Sequence, residues 1–242
     1  MSPLAILHDD YHCLAVAKPA PLLTQGPAGV PTLEAMVKAY VKEKYQKPGN
    51  VYLGIPHRLD RPVSGAVVFA RNTKAAQRLA LQFQEHRVEK HYWAVVEGDV
   101  PDETGTWEDW LRKLPEQART EVVTSDAPQA RHAVTHVRRL RSLPDGQTLL
   151  ELQPRTGRMH QLRVQAAARG WPIRGDELYG ARRPFGPPAE LPRDRVIALH
   201  ARSLTFQHPT LKQPVTVVAP LPESWRALGV EDELPGSPHG SG

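Results

Sequence analysis

Only one cysteine, Cys13, occurs in 242 residues. That excludes an internal disulfide and any zinc site built on several thiolates, and it suits a reducing cytoplasm. Long apolar runs are missing as well, so no segment is expected to span a bilayer and no membrane partner is expected. Met1 to Asp10 has no basic stretch followed by an apolar one and does not read as a secretory signal. There is no glycine-rich loop closing on Lys-Ser/Thr, no dinucleotide fingerprint and no His-Glu-x-x-His. Among the 11 histidines, His8/His12 and His132/His136 sit four apart, but neither pair lies in a strong helical pattern. No metal site is expected.

What is present reads as an ordinary globular chain, 40% hydrophobic and 24% charged, long enough for one substantial core. Lys and Arg number 31 against 26 Asp and Glu, a net charge of +5 that suits a polyanionic partner. The excess has a place. From Arg155 to Arg202 it is mostly arginine (Arg155, Arg158, Arg163, Arg169, Arg174, Arg182 and Arg183), the side chain that forks best onto phosphate.

Ile6 to Ala17 predicts two short strands around Asp9-Asp10, closed by Lys18-Pro19. Thr32 can cap a helix whose apolar stripe is Leu33, Met36, Val37, Tyr40 and Val41, stopped by Pro48-Gly49. Gly65 to Ala70 predicts a strand leading through Asn72-Thr73 into a second helix that buries Ala76, Leu79, Ala80 and Phe83. His91 to Glu97 alternates like a strand. Pro101 to Pro128 is polar and reads as irregular, pinned to the core by Trp107 and Trp110. Ala133 to Leu140 and Thr148 to Gln153 predict paired strands around Pro144-Asp145-Gly146. Arg158 to Arg169 predicts a helix ended by Gly170, and Ser203 to Phe206 with Val215 to Val218 a hairpin.

Strands outnumber helices, with no regular helical crossovers between them. The expected fold is therefore α+β, a single domain with a mixed, mainly antiparallel sheet flanked by helices. Residues 1–230 are expected to form that domain and 231–242 a flexible tail, disordered from Pro235 onward.

Two segments are dense in reactive groups. His57-Arg58-Leu59-Asp60-Arg61-Pro62-Val63-Ser64-Gly65 sets a carboxylate between two arginines on a loop entering an apolar strand, where a rigid scaffold can present a reactive group. Taken alone it better describes a surface aspartate in a local ion pair. Arg155-Thr156-Gly157-Arg158-Met159-His160-Gln161-Leu162-Arg163, on a helix, would place His160 and Arg163 on one face and Met159 and Leu162 on another. Its helix N-terminus would favour an anion such as phosphate. An amphipathic surface helix would look the same.

Together these segments resemble the RluA-type family of RNA pseudouridine synthases. The first matches that family's His-Arg-Leu-Asp-Arg-x-x-Ser-Gly block, and the second its Thr-Gly-Arg-x-His-Gln-x-Arg block, continuing through Pro172-Ile173-x-Gly175-Asp176-x-x-Tyr179-Gly180. Lys90 to Gly98 is similar to its Lys-x-Tyr-x-Ala-x-Val-x-Gly strand, and Leu199-His200-Ala201 with Leu204, Phe206, His208 and Pro209 to its closing block. Leu14 to Ala20 is similar to its entry strand. Val63, Met159, Gln165 and Pro21 depart from the usual residues, and no accessory RNA-binding domain is expected ahead of the catalytic one.

The resemblance implies an enzyme that isomerises a uridine of ribosomal or transfer RNA without a cofactor, acting as a monomer in the cytoplasm. Asp60 would be its nucleophile or base, attacking the sugar or uracil C6, or abstracting a sugar proton. Arg163 would pair with Asp60, Tyr92 would lie against the uracil, and Leu199 would exclude water. Substrate-binding roles fall to His57, Arg58, Arg158, His160, Gln161 and Leu199, with Arg58 and Arg158 near the flipped nucleotide and the remaining arginines on phosphates. A dry pocket can raise a carboxylate's ordinary pKa of about 3.9 by up to about 3–5, and a cation beside it offsets much of that. Asp60 is therefore expected as a buried anion. A non-catalytic RNA-binding or ribosome-assembly protein is the alternative. A two-carboxylate glycosidase would need a second acid beside Asp60, and none is expected there.

Overall fold

The computed structural model describes residues 4–101 and 104–232. Much of the tail expected to be flexible, 233–242, lies outside the described residues. The strands, in chain order, are β1 (Ala5–Asp9), β2 (Cys13–Lys18), β3 (Ser64–Ala70), β4 (Glu89–Glu97), β5 (Gly105–Lys113), β6 (Thr120–Val123), β7 (Arg131–Leu143), β8 (Gln147–Pro154), β9 (Leu199–Gln207) and β10 (Pro214–Val218). The helices are α1 (Leu33–Lys44), α2 (Thr73–Gln84) and α3 (Gln161–Ala168). The ten strands form one sheet in the order β1-β2-β3-β9-β4-β8-β7-β5-β6, with β10 also on β9. Among the described residues, neighbouring strands run antiparallel except β3 and β9, which run parallel through Ser64↔His200 and Gly65↔Ala201. The α+β expectation, with a mixed and mainly antiparallel sheet, holds.

Strand periodicity decides which core each helix closes. In β3, Val67 and Phe69 face the larger cluster with Leu33, Val37 and Val41 of α1. Ala66, Val68 and Ala70 face the opposite cluster with Ala75 and Leu79 of α2. Covered on both faces, all seven β3 residues are buried, each large one contributing roughly 1.5–3 kcal/mol. Thr32 caps α1 by accepting from the Ala35 N–H at 3.1 Å, and Asn72 caps α2 through Ala75 at 2.9 Å.

Several expectations are corrected. Residues 101–128 are not irregular: 105–113 and 120–123 are strands, the first laid against the long β7 and the second against the first. Trp107 is buried there, stacked on Trp171 at 6.4 Å, while Trp110 is 36% exposed and pins nothing. Ala80 of α2 is exposed, and Ala75 takes its place in the core. The third helix begins at Gln161 rather than Arg158, because His160 adopts a left-handed conformation (φ 52°) that ends the preceding loop.

Candidate active site

The parallel junction of β3 and β9 is where the sheet opens. β9 gives one edge first to β3 and then to β10, so the edge of β3 beyond Gly65 is left without a strand partner. Residues 54–57 fill it. Gly54 exchanges hydrogen bonds with Ala70 at 2.8 and 2.9 Å, and His57 Nε2 accepts the Val68 N–H at 3.0 Å. The His57 ring stacks on Phe83 at 4.4 Å. Burial, and next the charge of Lys90, push His57 down to about 3, which keeps it the neutral acceptor this bond needs. His57, expected to bind substrate, lines the cavity edge, but its acceptor nitrogen is spent anchoring the Asp60 loop.

The loop then turns sharply, the Val63 N–H reaching the Asp60 carbonyl at 3.1 Å. Thr24 clamps Leu59 from below through both backbone groups, at 2.8 and 3.1 Å. Beneath it lies Lys18, 1% exposed, whose Nζ donates to the carbonyls of Leu22 (2.7 Å), Pro19 (3.2 Å) and Arg61 (3.3 Å). Burial pushes Lys18 down to about 7, against the pull of the Asp60 carboxylate. Arg61 turns away to Asp194 at 3.0 Å, and Arg58 is exposed at the rim. The loop is thus over-determined around Asp60.

Two side chains meet the carboxylate. Arg163 of α3 brings Nη1 to 3.6 Å from Asp60 Oδ2, and His160 brings Nε2 to 3.6 Å from the same oxygen. The guanidinium is not aimed at Asp60 alone, for its Nε and Nη2 fork onto Asp176 at 2.6 and 2.7 Å. Burial works against the Arg163 charge, but Asp176 and then Asp60 outweigh it and raise its pKa. His160 Nδ1 lies 2.9 Å from the Tyr179 hydroxyl, which itself accepts the Thr120 N–H at 2.9 Å. Burial lowers the His160 pKa, and Asp60 opposes that. A neutral ring facing a carboxylate through Nε2 carries its proton there and leaves Nδ1 to the Tyr179 hydroxyl, whose single proton the Thr120 carbonyl at 3.3 Å also competes for. Asp60 therefore faces one cation and one neutral donor.

A cavity of about 840 Å³ opens over this oxygen, lined among others by Asp60, Tyr92, Leu199, Arg58, His160 and Arg163. Its size falls in the range of small-molecule pockets. Burial, and next Asp60, raise the Tyr92 pKa, so the phenol stays protonated. Leu199, at the first position of β9, is 3% exposed and closes the cavity floor. Contrary to expectation, Asp60 is not the buried anion. Its side chain is 23% exposed, against 6% for Arg163 and 1% for Asp176. The carboxylate that reaches the cavity is thus the more exposed one, and the Arg163–Asp176 pair behind it is dry.

Gln161 also lines the cavity, but all its polar capacity is committed to protein. Its oxygen accepts from Thr156 Oγ1 (2.7 Å) and the Arg158 N–H (3.0 Å), and its nitrogen donates to Val134 O (3.1 Å) and Thr135 Oγ1 (2.9 Å). It shapes the loop carrying Arg158 and His160. Arg158 is exposed at the rim, Nε on the His132 carbonyl at 3.0 Å.

Sequence reasoning missed two members. Asp176 and Tyr179 stand in the Pro172 to Gly180 stretch, which marked them, but no spacing ties them to Arg163 or His160. The acid not expected beside Asp60 is therefore present across Arg163, yet both its oxygens are taken by the guanidinium. Nor are the arginines uniformly free for phosphate. Arg163 is buried, Arg169 pairs with Asp109 at 2.9 Å, and Arg174 bonds Pro184 O and Gln147, each at 2.9 Å.

One cluster of metal-type ligands forms elsewhere, where His8, Asp10, Cys13 and His208 converge within 4.8 Å. Its hydrogen bonds fit a metal poorly. His208 Nδ1 accepts the N–H groups of Thr210 (3.1 Å) and Leu211 (2.9 Å), so Nε2 holds the proton and donates to Asp10 at 2.7 Å. Burial, and next Asp10, push the Cys13 thiol up to about 12, away from the thiolate a metal needs.

The geometry matches known proteins. The family model described as RNA pseudouridylate synthase covers residues 12–168. The chain belongs to the RluA-type RNA pseudouridine synthases. It is 36% identical over 232 residues to the ribosomal large subunit pseudouridine synthase D of Xanthomonas campestris, covering 93% of this chain and 68% of the relative. It is 34% identical over 232 residues to the tRNA pseudouridine synthase C of Salmonella typhimurium, covering 92% and 87% respectively. A solved structure, human RNA pseudouridylate synthase domain containing 4, superposes with a TM-score of 0.74 at 26% identity over 94% of each chain. As a pseudouridine synthase the protein is an RNA-modifying isomerase.

Proposed function

We propose that this synthase converts a uridine of ribosomal or transfer RNA to pseudouridine with Asp60 as its nucleophile or base. The observation that carries the reading is the placement of Asp60, its Oδ2 between Arg163 and His160 and its side chain open to a cavity that Tyr92 and Leu199 also line. Residues 1–230 form the catalytic unit, the site of action is the cytoplasm, and no cofactor takes part.

In the reaction the C1′–N1 bond of the uridine breaks and a C1′–C5 bond forms, the proton lost from C5 being balanced by one gained at N1. Asp60 opens this sequence by attack on the sugar or on uracil C6, or by removing a sugar proton. Arg163 and the His160 N–H hold Oδ2 in position and stabilise its charge. Tyr92 packs on the detached base while it rotates. Leu199 keeps water from the site, where hydrolysis would lose the base. The target must leave its stack at a cost of a few kcal/mol, less in a loop, and Arg58 and Arg158 at the rim support the extruded nucleotide.

The test compares wild type with Asp60→Asn on unmodified ribosomal and transfer RNA, mapping pseudouridine by chemical modification and primer extension. Wild type forms pseudouridine at discrete positions. Asp60→Asn forms none, with RNA affinity within about threefold of wild type. Conversion by the variant at the wild-type rate removes Asp60 from the mechanism.

A further inference from the structure

A second recess, of about 250 Å³, adjoins the active-site cavity, and His86, Lys90 and Pro154 line both. Its remaining polar lining includes Arg155, His91 and Glu89. Lys90 stands two residues before Tyr92 on β4, on the same side of the strand, about 7 Å away along it. Both residues line the same cavity, and only Lys90 also lines the recess beside it.

The charges in this recess are not matched. Lys90 is partly buried, and its one hydrogen bond is a long one, Nζ to the Thr156 carbonyl at 3.4 Å. The Arg155 side chain makes no hydrogen bond or ion pair with any described residue. Glu151, on the neighbouring strand, is committed to Arg138 at 3.0 Å and His91 at 3.4 Å. Glu89 lines the recess but pairs with neither cation. Two buried arginines of the molecule have a carboxylate each, Arg163 with Asp176 and Arg71 with Asp9 at 2.9 Å, and buried Lys18 has three carbonyls, where Lys90 has one long bond. Burial, and next the charge of Arg155, push Lys90 down to about 8. Lys90 is partly buried beside the exposed Arg155, and an anion bound between them would offset the burial of the ammonium.

We propose that Lys90 and Arg155 form a phosphate subsite that grips the RNA backbone beside the extruded uridine. It rests on the proposed reading of the cavity as the uridine site. The phosphodiester is the anion a strand leaving that cavity must bring into the recess, and ammonium and guanidinium are the two side chains that bind it.

Binding of a single-stranded nonamer of uridines tests the subsite without requiring turnover. The dissociation constant is measured between about 50 and 200 mM salt, and the slope of its logarithm falls by about 0.7 for each phosphate the protein ceases to neutralise. Lys90→Gln with Arg155→Gln lowers the slope by at least about 0.7, whereas Lys90→Arg and the remote Lys47→Ala keep the wild-type slope. Asp60→Asn also keeps it, since the subsite does not depend on the reaction. Unchanged affinity and slope in a double variant with the wild-type unfolding midpoint overturns the subsite. Pseudouridine formation is scored separately. Conversion by wild type with an unchanged slope in the double variant sinks the subsite alone. A lowered slope with no conversion by wild type leaves the subsite standing and sinks the functional reading.

Discussion

Arg163 sits between two carboxylates that it treats differently. Asp176 receives two short hydrogen bonds, while Asp60 receives one nitrogen at 3.6 Å. The close pair fixes the guanidinium, and the looser approach leaves Asp60 open to the cavity, as the proposed role requires. Loss of one partner from a buried pair of this kind costs about 3–5 kcal/mol. Asp176→Asn is therefore expected to lower unfolding free energy by about that amount in urea titrations, and to slow turnover as well, since Arg163 is no longer held. His160 faces the same oxygen through Nε2, with Nδ1 against the Tyr179 hydroxyl. A donor to a charged group is worth about 1.5–3 kcal/mol. The separation here is long, so His160→Ala should lower kcat by about tenfold, with RNA affinity within about threefold. Tyr179→Phe should show a smaller loss of the same kind, and a wild-type kcat in His160→Ala would remove this role.

At the scale of elements, the junction of β3 and β9 carries the site, and it depends on a glycine. Gly65 has φ +122°, and a Cβ added there would lie 2.4 Å from the Ala201 carbonyl oxygen. The backbone conformation alone costs a larger residue about 1–3 kcal/mol, and the overlap adds to it. Gly65→Ala should destabilise the fold by at least that much in denaturant and should reduce turnover, because Asp60 and Leu199 stand at the two strand entrances it joins. The pair β1–β2, the strand β4, the pair β7–β8 and the hairpin β9–β10 were legible in alternation and turn residues. The strands β5 and β6 were not. Their outward positions are polar and charged, and only pairing with β7 shows that Trp107 and Leu111 form an inward row. The start of α3 was misplaced for a related reason: helical spacing continues through His160, and a left-handed backbone there leaves no mark in the spacing.

For the whole molecule, buried histidines make stability depend on pH. His200, 1% exposed, bonds Ser64 Oγ through Nδ1 at 2.8 Å and the Ala219 carbonyl through Nε2 at 3.1 Å. Burial pushes it from its ordinary 6.5 to about 4, with Arg202 adding to the fall and the Ala219 carbonyl and Asp232 opposing it. Between those values the unfolded chain binds a proton that the folded chain refuses, so stability rises with pH across the window. It is complete above about pH 6.5 and falls by about 3 kcal/mol as the pH drops to about 4. Urea unfolding measured from pH 7 to pH 4 should show this loss, and His200→Asn should flatten part of the slope. An unchanged slope in that variant would assign the loss to other groups.

The amino-acid sequence by itself determined which segments are dense in reactive groups and where most of the strands lie along the chain. Both follow from side-chain chemistry and from short-range alternation, which act within a few residues of chain. It also placed Asp60, Tyr92, Leu199 and the His160–Arg163 segment among the site residues, and these line one cavity. Tertiary structure alone decided the division of labour among them. Whether an arginine meets a phosphate or a buried aspartate, and whether a histidine faces substrate or anchors a strand edge, depends on groups far apart in the chain. Distances of a few ångströms between Arg163 and Asp176, or His57 and Val68, fix those contacts. Hydrogen-bond and ion-pair energies fall steeply over that range, and spacing along a sequence does not encode it.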